Sequence, residues 1–192
     1  ECADAVPKKY GYLFAGIESP EFDPEFVVSV DVADRKLLGT LNETYGDRVD
    51  LAVDHHASHV DFAREQYVDS RAAATCEIIC DLIALLGMDA DADMATAIYT
   101  GIVTDTGCLR YSNATPKSYR MAASMMERGA DAAEINRRMF ETKTRARVEM
   151  ERAVMDSMTF YLDGKCAVIR ITEEAVARSG AEEGDLEGLA SL

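Results

Sequence analysis

The chain has 192 residues, of which 20 are Lys or Arg and 35 are Asp or Glu, so that its formal net charge is −15. This charge excludes a broad basic face of the kind that binds the backbone of a long nucleic acid. With 48% hydrophobic and 29% charged residues the chain has the composition of a globular protein with a proper core, and its apolar runs fall far short of the about 20 residues that a membrane span needs.

The first part of the chain alternates short apolar runs with one amphipathic segment. After an irregular, proline-containing lead-in, the β-branched runs 26–31 and 49–53 are predicted strands. The segment between them, 35–45, has the pattern of a polar amphipathic helix. Strand, helix and strand with short breaks predict a parallel sheet and therefore an α/β fold.

The remainder of the chain is predicted to be helical until a change near its end. Apolar residues recur at helical spacing in five segments, which are 73–86, 94–104, 116–127, 132–140 and 142–158. Two apolar runs around Asp163-Gly164 then predict a β-hairpin, and an acidic helix is expected to begin at Thr172.

Acidic and histidine residues follow the two predicted strands, where ligands bind in open α/β sheets. Asp31 ends the first strand, Asp54-His55-His56 ends the second, and Asp105 ends an apolar segment. If the strands are neighbours, their ends lie about 5 Å apart. One crevice could then hold Asp31, His55 and Asp105, a set of carboxylates and imidazole that suits Mn²⁺, Mg²⁺ or Zn²⁺ and favours Mn²⁺.

Each of these residues also has a plainer interpretation. A single Asp at a strand end usually caps a helix or forms a turn. Three titratable residues directly after an apolar strand are harder to explain by packing, because burying them costs free energy unless they are paired or bound to metal. His59 could complete a His-x-x-His pair with His56, although an exposed loop is its favoured position.

Three segments taken together resemble the DHH phosphoesterase superfamily. They are Val30-Asp31, Val53-Asp54-His55-His56 and Gly101-Ile102-Val103-Thr104-Asp105-Thr106-Gly107. Within this superfamily the chain is most similar to the bacterial oligoribonucleases, or nanoRNases, that also act as pAp phosphatases and are related to the RecJ exonuclease. The resemblance extends over nearly the whole chain.

The resemblance implies a fold and a division into domains. A Rossmann-like DHH domain with a parallel sheet and a helical part would occupy 1–141, without its first β-α unit. A connector helix would follow at 142–158. The residues 159–192 would begin a second α/β domain, of the DHHA1 type, that binds substrate.

The resemblance also implies roles for the site residues. Two Mn²⁺ ions, with Mg²⁺ as the alternative, would be held by Asp31, His55 and Asp105, with Asp31 bridging them. Asp54 would orient an imidazole. His56 would face the scissile phosphate, and a water activated by the two metals would attack it.

Residues after Asp105 are candidates for contact with substrate. Arg110 could hold a phosphate through two hydrogen bonds, or it could pair with a surface acid. Asn113 and Thr115 resemble the polar loop of the family, but they could equally cap the helix at Pro116. The run 72–75 departs from the serine-rich sequence expected there.

The function implied is hydrolysis of short oligoribonucleotides or of 3′-phosphoadenosine 5′-phosphate. Pyrophosphate, a cyclic-dinucleotide product and a non-catalytic binding or regulatory role remain alternatives. The histidine and the Asp-x-Asp motif that the family places before this segment are absent from the sequence. We therefore expect the intact parent to be the enzyme and this chain alone to hydrolyse poorly or not at all.

The cysteine content indicates a compartment. Five cysteines are an odd number and form no Cys-x-x-Cys pair, which disfavours both a disulfide framework and a zinc ribbon. A reducing cytoplasm fits best. The family resemblance leans towards a homodimer, which the acidic surface neither requires nor opposes.

Overall fold

The structure is a computed structural model that describes residues 2–17, 22–186 and 188–191. The chain divides into two compact units between Phe140 and Glu141. The first unit combines helices with a parallel sheet, which confirms the predicted α/β class. Among the described residues, no helix is both long enough and apolar enough to cross a membrane.

A three-stranded sheet lies in the first unit. Its strands are β1 (Val28–Val30), β2 (Leu51–Asp54) and β3 (Glu65–Val68), in the order β1-β2-β3 and all parallel. The central strand β2 is the most buried, because its neighbours take up its backbone hydrogen bonds and helices cover its side chains. The first two strands confirm the prediction, whereas β3 was not predicted, since its sequence begins with two polar residues and has no strand pattern.

The helices of the first unit follow the predicted order with adjusted ends. They are α1 (Asn42–Tyr45), α2 (Thr75–Leu85), α3 (Ala92–Asp105), α4 (Pro116–Glu127) and α5 (Ala132–Asn136), with 3₁₀ segments at Lys8–Phe14 and Arg35–Leu41 and a π-helical turn at Arg137–Glu141. The helix predicted over 35–45 is broken, because Gly39 adopts a φ of 53° that no right-handed helix accommodates. Pro116 begins α4 as predicted, and Thr115 caps it.

The core of the first unit is built around α3. Its buried residues include Ile98, Ile102 and Val103, which pack with Met125 of α4 and Ile135. Burial on several sides of α3 explains why the sequence from Ala95 to Val103 is almost wholly apolar. This packing fixes the position of the last residue of α3, which is Asp105.

The second unit has its own small core. Its elements are α6 (Arg145–Asp156), β4 (Thr159–Tyr161), β5 (Cys166–Val168), α7 (Glu173–Ser179) and α8 (Glu183–Leu186), followed by a 3₁₀ turn at Leu189–Ser191. β4 and β5 form the predicted antiparallel hairpin. Met150 and Val154 of α6 are fully buried with Leu189, so α6, expected to be a connector over 142–158, contributes to the core of this unit.

Candidate active site

The predicted site residues meet at the carboxyl end of the sheet. Asp31 directly follows β1, and His55 and His56 directly follow the last residue of β2. Val30 lies opposite Val53 in the parallel register, so the residues after the two strands leave the sheet at the same edge. The C-terminal end of α3 brings Asp105 to the same place.

The distances between these side chains define a cluster. His55 Nε2 lies 3.7 Å from Asp31 Oδ1 and 3.6 Å from Asp105 Oδ2. The candidate ligand atoms of Asp31, His55 and His56 all lie within 4.8 Å of one another. The structure thus brings together the three predicted metal ligands and His56.

The hydrogen bond of His55 determines which of its nitrogens faces the acids. Its Nδ1 lies 3.2 Å from the backbone oxygen of Ala72, which can only accept, so Nδ1 carries the hydrogen. In the neutral ring Nε2 then presents a lone pair towards the carboxylates of Asp31 and Asp105. Two carboxylates and an imidazole nitrogen that face one another are a donor set that fits a divalent metal ion.

The electrostatics of Asp105 support the same conclusion. Burial raises the pKa of the Asp105 carboxyl, and the charge of Asp31 raises it further, while His55 and His56 lower it. Burial and the charge of Asp31 therefore both disfavour ionisation of Asp105 when no cation is bound. A divalent ion would remove that repulsion, and metals with mixed nitrogen and oxygen ligation suit the cluster.

Asp54 lies at the end of β2 with its side chain fully buried. Its Oδ1 accepts hydrogen bonds from the backbone N–H of His55 and from His56 Nδ1, each at 2.7 Å, and its Oδ2 accepts from His59 Nδ1 at 2.8 Å. Burial acts to raise the pKa of Asp54, but the hydrogen bonds from His56 and His59 outweigh it and lower the pKa to about 2. Asp54 is therefore a carboxylate that holds two imidazole rings.

His59 does not lie in an exposed loop, in contrast to the prediction. Its side chain is 3% exposed and contacts Asp54 on one side and Gln66 on the other. The prediction was wrong because the partner Gln66 lies on β3, the strand that the sequence pattern did not reveal. His59 also forms no part of the cluster of Asp31, His55 and His56.

Thr75 is a site residue that the sequence analysis did not identify. Its hydroxyl donates to Asp31 Oδ1 at 2.7 Å, so a hydroxyl contact is present although the run 72–75 lacks the expected serines. The signal was weak, because a single Thr at the start of a helix is most simply a cap. In the structure Thr75 is the first residue of α2 and orients a carboxylate of the cluster.

The two predicted substrate residues lie on the loop after α3. Arg110 is exposed, and its Nε donates to the Gly107 oxygen at 2.7 Å. Asn113 Nδ2 donates to the backbone oxygens of Ala73 and Asp105. The contact with Ala73 connects this loop to the segment before α2. The capping role that the sequence analysis left open for this loop belongs to Thr115.

Comparisons with known proteins agree with the sequence resemblance. No protein-family model matches the chain. The chain is 34% identical over 133 residues to the bifunctional oligoribonuclease and PAP phosphatase NrnA of Thermus thermophilus, which covers 69% of this chain and 40% of that protein. It is 22% identical over 182 residues to the Bacillus subtilis protein of the same name, covering 92% of this chain and 58% of that protein.

A solved structure shares the fold over most of the chain. An exopolyphosphatase-related protein from Bacteroides fragilis superposes with a TM-score of 0.78 and 26% sequence identity, covering 88% of this chain and 51% of that protein. The chain thus spans about half the length, or less, of the first relatives it matches. These similarities confirm the predicted resemblance to DHH phosphoesterases of the nanoRNase branch.

Proposed function

We propose that this chain, a member of the DHH phosphoesterase family, carries part of a metal-dependent site that hydrolyses short oligoribonucleotides or 3′-phosphoadenosine 5′-phosphate. The convergence of Asp31, His55, His56 and Asp105 at one edge of the sheet is the observation on which the proposal depends. The substrate class is taken from the names of two relatives, both described as bifunctional oligoribonuclease and PAP phosphatase.

Asp31, His55 and Asp105 would hold the metal. Their carboxylate oxygens and imidazole nitrogen would suit Mn²⁺ in preference to Mg²⁺, and we propose that they help to hold two such ions. Such ions, when bound, lower the pKa of a water molecule and neutralise charge on the phosphoryl oxygens. Thr75 keeps Asp31 oriented through its hydroxyl, and Ala72 keeps His55 oriented through its carbonyl.

His56 would act on the phosphate rather than on the metal. Its Nδ1 hydrogen is donated to Asp54, so Nε2 is the ring atom left to contact a phosphoryl oxygen. Because Asp54 also binds the backbone N–H of His56 at 3.2 Å, the ring is held close to the main chain. Asp54 and His56 would therefore form the catalytic pair of the site.

Arg110 and Asn113 would contact the remainder of the substrate. The Nε of Arg110 is already bound to Gly107, so its terminal amino groups would hold a phosphate. The side-chain Nδ2 of Asn113 donates to two backbone oxygens, which leaves Oδ1 to accept a hydrogen bond from a ribose hydroxyl or from a base N–H. Both residues lie on the loop that joins α3, which ends at Asp105, to α4.

The test compares two aspartates at opposite ends of α3. Mn²⁺ binding is measured by calorimetry, and hydrolysis of a ribodinucleotide, of pAp and of pyrophosphate is measured at matched Mn²⁺. We expect Asp105→Ala to lower Mn²⁺ affinity at least about 100-fold and to abolish any turnover, while Asp93→Ala, an exposed acid in the first turn of α3, leaves both unchanged. Equal Mn²⁺ binding in wild type and Asp105→Ala would contradict the proposal.

The substrate panel decides between the related activities. The Bacteroides fragilis neighbour, described as exopolyphosphatase-related, supports a phosphoanhydride as the second candidate substrate. Faster hydrolysis of pyrophosphate than of pAp would favour that candidate. Mn²⁺ binding without turnover of any substrate would agree with the expectation that this chain alone hydrolyses poorly or not at all.

We propose a cytoplasmic location, because an odd number of cysteines without a Cys-x-x-Cys pair disfavours a disulfide framework. A homodimer stays a prediction, which sedimentation of the chain at several concentrations would test.

A further inference from the structure

His59 lies outside the cluster of Asp31, His55 and His56, and the proposed function assigns it no role. We propose that His59 is a positioning residue, which holds the carboxylate of Asp54 in the orientation that fixes the ring of His56. This role rests on the proposed function for the identity of the site. The contacts that support it are hydrogen bonds of Asp54 with His56 and His59, within the protein itself.

The two oxygens of Asp54 are divided between the two imidazoles. Oδ1 accepts from His56 Nδ1 at 2.7 Å, and Oδ2 accepts from His59 Nδ1 at 2.8 Å. A carboxylate bound through one oxygen can rotate about its Cβ–Cγ bond, whereas one bound through both oxygens has a fixed plane. The backbone N–H groups of His55 and His56 hold Oδ1, and His59 holds Oδ2, so the direction of the hydrogen bond to His56 depends on His59 together with these backbone contacts.

His59 is itself held from the side opposite to Asp54. Its Nε2 lies 3.0 Å from Gln66 Oε1, and the amide of Gln66 is oriented by a hydrogen bond of 2.7 Å from its Nε2 to the Ala63 oxygen. Both neighbours of the His59 ring are therefore acceptors, so both ring nitrogens donate when the ring is doubly protonated. A continuous path of hydrogen bonds thus joins strand β3 to His56 through Gln66, His59 and Asp54.

Packing alone does not account for this arrangement. The ring of His59 lies 5.7 Å from the ring of Phe62, so its surroundings are apolar on that side and polar at both ring nitrogens. Burial of an imidazole whose two nitrogens each meet an acceptor indicates a hydrogen-bonding role. The position can therefore be tested with a planar aromatic ring, that of phenylalanine, which cannot donate a hydrogen bond.

The experiment uses the small number of histidines in the chain. There are three, so two-bond ¹H–¹⁵N correlation spectra of the metal-free chain give three imidazole patterns, assigned by His56→Gln and His59→Asn. In wild type we expect His56 to show the Nδ1-protonated pattern and the His59 Nδ1–H to exchange slowly with water. Rapid exchange of that hydrogen in folded wild type would overturn the proposal without recourse to any variant.

The variants separate positioning from packing. His59→Phe should convert His56 to the averaged pattern of a freely exchanging ring, whereas His59→Asn, whose amide can still donate to Asp54, should keep the wild-type pattern. In a chain with turnover, His59→Phe should lower kcat about 10- to 100-fold with KM within about threefold, and His59→Asn should recover most of kcat. An unchanged His56 pattern in folded His59→Phe would refute the role of His59.

The two proposals fail in different ways. If wild type neither binds Mn²⁺ nor hydrolyses a substrate, the proposed function is contradicted, but the spectra still measure whether His59 orients His56. If Mn²⁺ binding is intact and the His56 pattern does not depend on His59, only the positioning role is contradicted.

Discussion

Asp31 adopts a left-handed backbone conformation, with a φ of 61°, directly after strand β1. For a residue with a side chain this conformation costs about 1–2 kcal/mol, although Asp and Asn tolerate it better than most residues. Its carboxylate also raises the pKa of Asp105. Asp31 therefore lowers the stability of the metal-free chain in two ways, which is typical of residues placed for function.

Replacing Asp31 by Asn tests this cost. Asn tolerates the same backbone conformation and still accepts a hydrogen bond from Thr75, but it carries no charge. We expect Asp31→Asn to lower Mn²⁺ affinity at least about 10-fold while the melting temperature of the metal-free chain stays the same or rises. A clear fall in that melting temperature would show that Asp31 stabilises the fold. Differential scanning calorimetry with and without Mn²⁺ measures the melting temperature of the metal-free chain and the rise that Mn²⁺ binding produces.

At the scale of single residues, the sequence located the acids and histidines of the cluster but not the residues that orient them. Asp31, Asp54 and Asp105 stand at recognisable places in the chain, since each ends an apolar run. The orienting residues Thr75 and His59 have no such signal. Their roles depend on contacts with distant segments, which no local pattern describes.

Gly101 is the point of close approach between helices α2 and α3. A Cβ at this position would overlap Cys76 Sγ and would lie 3.1 Å from Cys76 Cβ. The same contact buries the Cys76 thiol, and burial raises its pKa to about 12. Glycine at this position thus allows α3, and with it Asp105, to lie against α2.

The Gly101→Ala variant measures how tightly these helices pack. Alanine should favour a helix over glycine by about 1 kcal/mol, but the overlap with Cys76 should reverse the sign and lower the free energy of unfolding by about 1–3 kcal/mol. The double variant Gly101→Ala/Cys76→Ala should recover part of the loss. Gly184→Ala in α8, where a Cβ meets open space, is the control and should be neutral or stabilising; chemical denaturation compares all three.

Glu151 of helix α6 binds two basic residues, one just before the helix and one in its first turn. Glu151 accepts hydrogen bonds of 2.8 Å from Lys143 Nζ and from Arg147 Nε, and its side chain is only 13% exposed. The hydrogen bonds from Lys143 and Arg147 lower the pKa of Glu151 below its ordinary value of 4.5. Because the pKa is lower in the folded chain than in the unfolded one, the stabilisation is present above about pH 4.5 and is lost as the pH falls through the folded pKa.

Glu151→Gln should therefore have a pH-dependent effect. We expect the variant to be about 1 kcal/mol less stable than wild type at pH 7 and the difference to vanish in acid, where Glu151 of wild type is protonated as well. Denaturation with urea at a series of pH values measures the difference. Glu149→Gln, whose partner Arg145 is almost wholly exposed, should change little, and a pH-independent effect of Glu151→Gln would contradict the assignment.

At the scale of elements, turn and cap residues were the most informative. Asp163-Gly164 marks the observed hairpin between β4 and β5, and Pro116 marks the start of α4. β3 was missed because hydrogen bonds to β2, rather than its own composition, make it a strand. The break at Gly39 was missed because the apolar spacing of the segment continues through the glycine.

Among the described residues, the two compact units have separate buried cores, with two clusters in the first unit and one in the second. Ile102 is fully buried in the first, and Met150 is fully buried in the second. Truncating either side chain to alanine should lower stability by about 2–5 kcal/mol through lost transfer free energy and a residual cavity. Because the cores are separate, each variant should act mainly on its own unit.

Hydrogen exchange with mass spectrometry tests that division. In Met150→Ala we expect faster exchange of amides after residue 141, with little change in helices α2 and α3. Ile102→Ala should give the reverse pattern. Equal acceleration in both units from Met150→Ala would show that the chain unfolds as one cooperative body.

The sequence by itself determined the α/β class, most helices, the first two strands and the chemistry of the cluster, because apolar periodicity, turn residues and motifs are local properties of the chain. Tertiary structure decided which of those residues meet. It placed His55 Nε2 between Asp31 and Asp105, buried His59 between Asp54 and Gln66, and packed α6 into the core of the second unit. In each case the environment of the side chain comes from segments far apart in the sequence, and only the fold brings those segments together.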